Sequence, residues 1–455
     1  MRKLIITLTS IWLCCFWTSC SDKWLEEKQD IKLIVPTTIN DLDLLLNADV
    51  FQYDGRGSVE TACDDYEFTP QQFNQLFYGF DRDLITWQNG VDMENLLPMQ
   101  MNEWKCAYNQ IQICNVVLKK LHSITINENN KGDYNRIYGT ALYHRSKQFL
   151  NLVMTFSKYY DKRSANSDLG IPLKLDDDIE EAIKRASVEE TYQRIISDLQ
   201  ESVRNLPANQ KDYSRVSKAG SFALLARTQL FMDNYEDAKK SADSALKYNS
   251  FVQDFNQIIN ISASRPLNIQ SKEIHVRAAM VKVSNNPTTG RINEMLYNQY
   301  DNSDLRKFLY FKTEQDNKVT FKGHFLNTLF TGTTTGEVLL ILAETEARLG
   351  NKDKALRYLN QLALNRYKKD QFVQFAANSN AEALDLILKE RRKELVTRGL
   401  RWQDLKRLNR DGHFQQTLKR SIGENTYELP ANDPRYVLPI PSYVINFNHI
   451  EQNKY

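Results

Sequence analysis

Leu339-Leu340-Ile341-Leu342-Ala343 leads to Leu349-Gly350-Asn351 and then to Ala355, Leu359 and Leu362. One period of 117 residues earlier, Phe222-Ala223-Leu224-Leu225-Ala226 leads to Asp233-Asn234 and then to Ala238, Ala242 and Ala245. On each side of the turn the apolar positions (Phe222, Leu225 and Ala226; Leu339, Leu342 and Ala343) fall three and four apart. That is the period of a helix burying one face. Small residues at matched places let two antiparallel backbones approach closely. The spacing therefore predicts two helical hairpins, in phase with one another.

A hairpin of this kind is the unit of tetratricopeptide-type repeats, whose seams are buried by stacking. Both units lack the Pro that commonly ends such a repeat, and two unrelated amphipathic pairs would show the same period. Working outward, Trp104, Tyr108, Ile111, Cys114, Leu118 and Leu121 mark an early helix. A second runs from Tyr134 through Phe149 to Tyr160 and is stopped at Asp168-Leu169-Gly170-Ile171-Pro172. A third spans Thr191 to Leu206 and is closed by Pro207. The acidic run Asp176 to Glu181 reads as a loop and first helical turn, where carboxylates oppose the helix dipole. Two stretches break the helical pattern. Residues 50–99 are aromatic and turn-rich, and residues 260–335 alternate short strand-like runs such as Ile274-His275-Val276 with turns such as Asn285-Asn286-Pro287. Long loops on a rigid helical frame are where binding surfaces are expected.

The 455 residues are 42% hydrophobic and 25% charged, an ordinary globular composition that excludes collagen-like, disordered and polytopic membrane classes. The N-terminus stands apart. Arg2 and Lys3 precede an apolar run from Leu4 to Trp17, the length of a signal-peptide core and too short to span a bilayer. Trp17-Thr18-Ser19-Cys20 then resembles a lipobox, with Trp17 and Ser19 standing where Leu and Gly or Ala are usual. Cleavage there would leave Cys20 as a lipidated first residue; ordinary secretion with an unmodified Cys20 is the other outcome. Removing residues 1–19 takes two of the 59 basic residues and leaves 57, equal to the 57 acidic ones. A neutral chain without a basic run offers no electrostatic footprint for nucleic acid. Cys63, Cys106 and Cys114 make no CxxC, and the last two read as apolar helix residues.

Catalytic and metal-binding patterns are missing from the sequence. The six His, at 122, 144, 275, 324, 413 and 449, are scattered, with no HExxH and no GxSxG. Gly55 and Gly57 alone are not a dinucleotide loop, so no cofactor is implied. Carboxylate pairs such as Asp64-Asp65 are common, and glycoside hydrolysis depends on a spatial separation that spacing along the chain does not give.

The C-terminal third is more specific. Leu386-Ile387-Leu388-Lys389-Glu390-Arg391-Arg392-Lys393-Glu394-Leu395 runs into Gly399-Leu400-Arg401-Trp402-Gln403-Asp404-Leu405-Lys406-Arg407. On the residues alone, Glu390, Arg391, Arg392 and Glu394 can pair across one helical turn, and Trp402 is large enough to fix the next helix. The same stretch resembles the signature of the SusD/RagB family of nutrient-binding outer-membrane lipoproteins of Bacteroidetes, with Thr397-Arg398 in place of the commoner Phe-Glu. Trp24-Leu25-Glu26 behind Cys20, Val35-Pro36-Thr37-Thr38, Leu296 to Tyr300 with Asp304-Leu305-Arg306, Ala343 to Ala347 and Leu438-Pro439-Ile440-Pro441 agree in order.

The resemblance implies a mostly α fold, a helical bundle with tetratricopeptide-like hairpins plus long loops and a few short β-strands. It places one domain over 20–455: a lipidated tether at 20–45, an N-terminal part at 46–210 with the insertion 50–99, and a C-terminal part at 211–455 with the insertion 260–335. It further implies a surface lipoprotein, anchored in the outer membrane, that captures an oligosaccharide or other nutrient and passes it to a SusC-like TonB-dependent barrel without covalent chemistry. A surface glycoside hydrolase, a peptide-binding lid and a purely structural helical adaptor are the rival readings. The ligand residues expected are Asp65, Tyr66, Tyr78, Trp87 and Asn89, in the insertion where related proteins carry binding loops. Trp87 leads, because the polar turn Gln88-Asn89-Gly90 after it would hold an indole at the surface beside amides. The rival for each aromatic is packing against the bundle.

Each buried methylene of an acyl chain contributes roughly 0.8 kcal/mol, and more than one chain is needed for a lasting anchor. Cys20→Ala is therefore expected to move the exported protein from the membrane to the soluble fraction. A soluble wild-type protein after export would refute the anchor.

Overall fold

A computed structural model describes residues 36–77, 79–88, 102–178, 180–210, 212–281, 290–323 and 328–454. Cys20 and the tether up to 35 lie outside these residues, as does Asn285-Asn286-Pro287. The helices of eight residues or more, in chain order, are α1 (Ile39–Leu46), α2 (Gly79–Thr86), α3 (Glu103–His122), α4 (Lys131–Phe156), α5 (Val188–Asn205), α6 (Lys218–Phe231), α7 (Tyr235–Tyr248), α8 (Thr335–Arg348), α9 (Lys352–Ala363), α10 (Asn380–Glu394) and α11 (Arg401–Leu408). Side-chain caps start most of them. Thr38, Asn102, Ser187, Ser217, Thr334 and Ser379 each accept a hydrogen bond from a first-turn N–H that has no partner inside its helix. At Ser187 the bond is reciprocated by Glu190, a capping box that begins α5 three residues before the expected Thr191.

The two hairpins form, and they match down to their turns. Asp233 and Gly350 both take positive φ, 57° and 85°. The next residue in each case, Asn234 or Asn351, donates its N–H back to Gln229 O or Glu346 O at 3.0 and 2.8 Å. Gly tolerates this left-handed conformation freely, whereas Asp233 needs support. Its carboxylate receives it from the Tyr235 hydroxyl at 2.9 Å and from Arg410.

Successive helices pack on one another from α3 through α8, and α8 also carries α9 and α10. From Thr335 to Ala347 the helix α8 is buried on every side. Val338, Ile341 and Leu342 meet Ala223, Ala226, Ala238, Ala242 and Ala245 of the first hairpin. Leu339, Leu340 and Ala343 meet Ala355, Leu359, Leu362 and Ile387 on α9 and α10. The seam differs from expectation in one place: Ala223 fills it, Leu225 turns into the main core, and half-buried Phe222 stacks on Tyr248 with ring centroids 6.0 Å apart. The smaller side chain permits the closer approach.

Outside the helices, the described strands form six two-stranded sheets. Two of them join the two insertions to each other. Tyr53–Asp54 (β1) pairs in parallel with Ala279–Met280 (β6), and Tyr66–Glu67 (β2) pairs antiparallel with Arg291–Ile292 (β7). The intervening strands are Leu169–Pro172 (β3) with Arg185–Ser187 (β4), and Ile274–Val276 (β5), the run foreseen as strand-like. Later, Phe311–Thr313 (β8) pairs with Val319–Phe321 (β9), Thr333–Thr334 (β10) with β5, and Leu418–Ile422 (β11) with Asn425–Leu429 (β12).

Three sequence expectations are corrected. Residues 50–99 are not a loop where described: they hold the short helices Gly57–Ala62 and Pro70–Asn74 as well as α2, and Gly57 to Ala62 is wholly buried. Asp176 and Asp177 begin no helical turn; both pair with Lys119 on α3, and α5 starts later at its own cap. Helix α4 ends at Phe156, so Tyr160 lies beyond it, buried with its hydroxyl on Glu189 at 2.5 Å. Cys106 and Cys114 are buried free thiols of α3, as the pattern implies.

The signature helix α10 ends in a buried ion network. Glu390 and Glu394 both receive Arg306, at 2.5 and 3.2 Å, and Asp304 also binds it at 2.8 Å. Lys393 joins Asp304 and Glu390, while Arg366 bridges Glu394 to Glu273. These residues reach to other segments of the chain rather than to one another, apart from the Glu390–Lys393 pair. Removing one ion from such a cluster leaves the others desolvated without compensation, typically costing about 3–5 kcal/mol. Arg306→Ala is accordingly expected to lower the unfolding free energy by about that amount in urea titration. A change below 1 kcal/mol would show that the three carboxylates reorganise freely.

Candidate functional site

The residues expected to form an exposed platform do not form one. Trp87, at the end of α2, is only 4% exposed. Its indole N–H donates to Ala62 O at 2.8 Å, the Arg420 guanidinium lies 4.7 Å from the ring, and its backbone takes a φ of 51°. The polar turn after it does not hold it outward, because the carbonyl that satisfies the indole belongs to the buried helix Gly57–Ala62. Tyr66 is buried in β2 with its hydroxyl donating to Glu60 at 2.7 Å. Asp65 is buried and accepts from Arg392 at 2.8 and 2.9 Å. Tyr78 and Asn89 lie outside the described residues. Asp65, Tyr66 and Trp87 thus belong to the joint between the first insertion and the C-terminal signature.

That joint is electrostatically tuned. Burial opposes the charge on Asp64, yet Arg392 and Arg401 hold its carboxyl well below the usual range. Burial raises Asp65, and neighbouring Asp64 adds to the rise. Glu60 is pushed up to about 7 by burial and by the charge of Asp65, against hydrogen bonds from the Tyr66 hydroxyl and the Gly399 N–H.

The largest described cavity lies elsewhere, at the C-terminal end of α4. It encloses about 640 Å³, within the range of small-molecule sites. Helix α11 supplies its floor through Lys406 and, three residues on, through Asn409, which caps its C-terminal end. Trp402 is buried with its N–H on Tyr436 O at 3.0 Å, which fixes Tyr436 against it. One wall is the loop after α4 with Tyr159 and Asp168. The other is the C-terminal tail, stitched in place by Asn453, which donates to Phe156 O and Leu438 O, and by Arg185, which donates to Asn453 and to Glu451 O.

Inside, the polar groups differ in how well they are matched. Asp168 is claimed by Lys158 at 2.7 Å and Ser164 at 2.6 Å, and Asp433 by Arg435 at 2.8 Å. Lys406 reaches only carbonyls, Met154 O at 2.8 Å and Ser157 O at 2.5 Å, and burial pushes its ammonium down to about 7. Asn409 Nδ2 and Tyr436 Oη are buried and neither makes a hydrogen bond of normal geometry. Half-buried Tyr159 carries Arg410 at 5.1 Å from its ring. Aromatic faces beside amides and hydroxyls suit a polyhydroxylated ligand. Sequence reasoning missed this cleft, although Leu438 to Pro441 and the tail had drawn notice; a lysine on an amphipathic helix reads as solvated. Among the described residues, no cluster of three His, Cys, Asp or Glu is placed to hold a metal ion. No described helix is long and apolar enough to cross a membrane.

Two family models match the chain. One, described as starch-binding associating with outer membrane, covers residues 23–230, and the SusD family model covers 335–455. The chain belongs to the SusD/RagB family. Solved SusD-type structures superpose along nearly its whole length. A putative sugar binding protein from Bacteroides vulgatus aligns with a TM-score of 0.72 at 19% identity, over 92% of this chain and 99% of that one. A SusD superfamily protein from Bacteroides thetaiotaomicron gives 0.72 at 21%, over 92% and 100%. Surface glycan-binding protein A from Bacteroides uniformis gives 0.71 at 15%, over 91% and 99%. No curated protein matches the chain. The mostly helical SusD-like architecture implied by the signature is thus the one observed.

Glu60 supplies a pH test of the SusD/RagB signature joint. Its folded value of about 7 lies above the ordinary 4.5. The stability this group contributes is therefore complete below about pH 4.5 and lost as pH rises through 7. Glu60→Gln is expected to remove this component, so that its stability relative to wild type improves between pH 5 and 8 by up to about 3 kcal/mol. A pH-independent difference would refute the assignment.

Proposed function

We propose that this SusD/RagB protein is a surface lipoprotein of the outer membrane that binds an oligosaccharide in the cleft between α11, Tyr159 and the C-terminal tail, and delivers it to a SusC-like TonB-dependent barrel. Family membership supports the carbohydrate-binding role, and the names of the B. vulgatus and B. uniformis neighbours agree with it. The observation that carries the choice of site is the cleft itself: a preformed volume of about 640 Å³ with an aromatic face at Tyr159 and an amide and a hydroxyl at Asn409 and Tyr436. Sugar rings present apolar C–H faces to aromatic side chains and hydroxyls to amides, so both halves of that recognition are at hand. Of the three carboxylates lining the cleft, Asp168 and Asp433 are taken up by ion pairs, and Glu451 is exposed on the tail. Delivery without covalent chemistry fits that state.

Retardation in native gels containing candidate polysaccharides tests the binding, and reducing-end assays on the same panel separate it from hydrolysis. Tyr159→Ala is expected to weaken binding about tenfold, the worth of one stacking face, with the thermal midpoint nearly unchanged because the ring is half exposed. Retained affinity would move the site elsewhere, and release of reducing ends would favour the enzyme. Co-purification of a TonB-dependent barrel from detergent extracts tests the delivery step.

A further inference from the structure

Lys406 is 3% exposed, and among the described residues no carboxylate lies within ion-pair distance of it. Two of its three N–H donors go to the carbonyls of Met154 and Ser157, at the C-terminal end of α4, and the third is unassigned. An ammonium is rarely buried without a counter-ion, because carbonyl dipoles replace only part of its hydration. Beside it in the same cleft, Asn409 Nδ2 and Tyr436 Oη are buried and face each other, with no partner of normal hydrogen-bond geometry besides. These three groups sit on rigid supports. Lys406 is on α11 and Asn409 caps its end, and Tyr436 is packed on Trp402 with ring centroids 4.8 Å apart.

The other charges around the cleft do not offset them. Lys158 and Asp168 neutralise each other, and Arg435 holds Asp433. Glu451 and Lys454, on the tail, are exposed and of opposite sign. The interior of the cleft thus presents the amine of Lys406 without a counter-ion and with neutral polar groups around it, while its aromatic wall faces from Tyr159. A carboxylate has the charge and the acceptor lone pairs to take all three donors at once.

Resting on the carbohydrate-binding role above, we infer that the cleft recognises an acidic sugar, whose carboxylate is received by Lys406, Asn409 and Tyr436 while the ring lies against Tyr159. The sugar arm and the carboxylate arm of this recognition are separable. Calorimetric titration of the full mature protein with trigalacturonic acid, a hyaluronan tetrasaccharide and sialyllactose, each beside its methyl ester, tests it directly, with maltoheptaose as a neutral oligosaccharide and sodium acetate as a carboxylate without a sugar.

At least one acid is expected to bind about tenfold or more tightly than its ester, with acetate failing to compete at equal concentration. Lys406→Met, which keeps the packed stem, is expected to abolish the preference for acid over ester while leaving ester binding in place. Tyr436→Phe is expected to reduce it a few-fold. Equal affinity of every acid and its ester in the wild-type protein overturns the inference, without recourse to any variant. So does a preference that survives in Lys406→Met, or acetate competing as well as the sugar. Binding of maltoheptaose alone overturns the acidic ligand and leaves the carbohydrate-binding role standing. Binding of no carbohydrate in this panel or in the polysaccharide gels overturns both.

Discussion

Five consecutive charged residues at the end of α10 hold five parts of the chain together. Glu390 takes Arg306 and the Tyr367 hydroxyl, Arg391 takes Asp404, and Arg392 takes Asp64 and Asp65. Lys393 takes Asp304, and Glu394 takes Arg366, which also holds Glu273. A helix turns 100° per residue, so successive side chains point in different directions and together reach several neighbouring segments. Buried ion pairs add little net stability over well-packed apolar residues. Their cost when mismatched is large, and here any shift of α10 by one residue would strand several charges together. The network acts as a register, selecting one arrangement of segments that are far apart in sequence.

From that register the cleft follows. After α10 the chain passes Thr397 and Gly399, both with positive φ. A Cβ at Gly399 would lie 2.8 Å from Arg56, so only glycine allows the close crossing. The Gly399 N–H is held by Glu60, and Arg398 O accepts from Arg56. These contacts aim α11, which carries Trp402 into the core and Lys406, with Asn409 at its end, into the cleft. The departure from the commoner signature at Thr397-Arg398 is absorbed locally: Thr397 is buried in the left-handed turn, and the Arg398 guanidinium lies 4.5 Å from the Phe330 ring centroid.

What was legible in the sequence was what depends on local period. The hairpins, their paired turns and the early helices follow from apolar spacing, and residues within a few positions of each other decide them. The insertions were illegible because their strands are two or three residues long and pair across gaps of more than 200 residues. Trp87 was misread for the same reason. The polar residues after it describe its local turn, whereas its burial is decided by Ala62 O and Arg420. Charge at Glu390 to Glu394 was visible, but not that each residue would find a partner in another segment. Lys406 carried no local mark at all, since its isolation comes from which groups surround it in three dimensions.

The cleft and the hairpin stack occupy separate surfaces; α11 meets the stack through Arg407 on Glu344 of α8, and the cleft wall meets it through Arg410. None of the residues lining the cleft belongs to α6, α7, α8 or α9. A ligand in the cleft would therefore leave the broad helical surface free, which the proposed delivery to a partner requires. The joint at the cleft wall, Arg410, follows α11. It is held by Asp233 in the left-handed turn of the first hairpin and lies over the Tyr159 ring in the cleft wall. Asp233 thereby does two things with one carboxylate: it stabilises a strained turn and positions the guanidinium that backs the aromatic face. With a formal net charge of only +2 and most buried charges matched in pairs, long-range attraction contributes little to recognition. On the proposed reading, selectivity then rests on short-range contacts with Lys406, Asn409 and Tyr436 in the cleft.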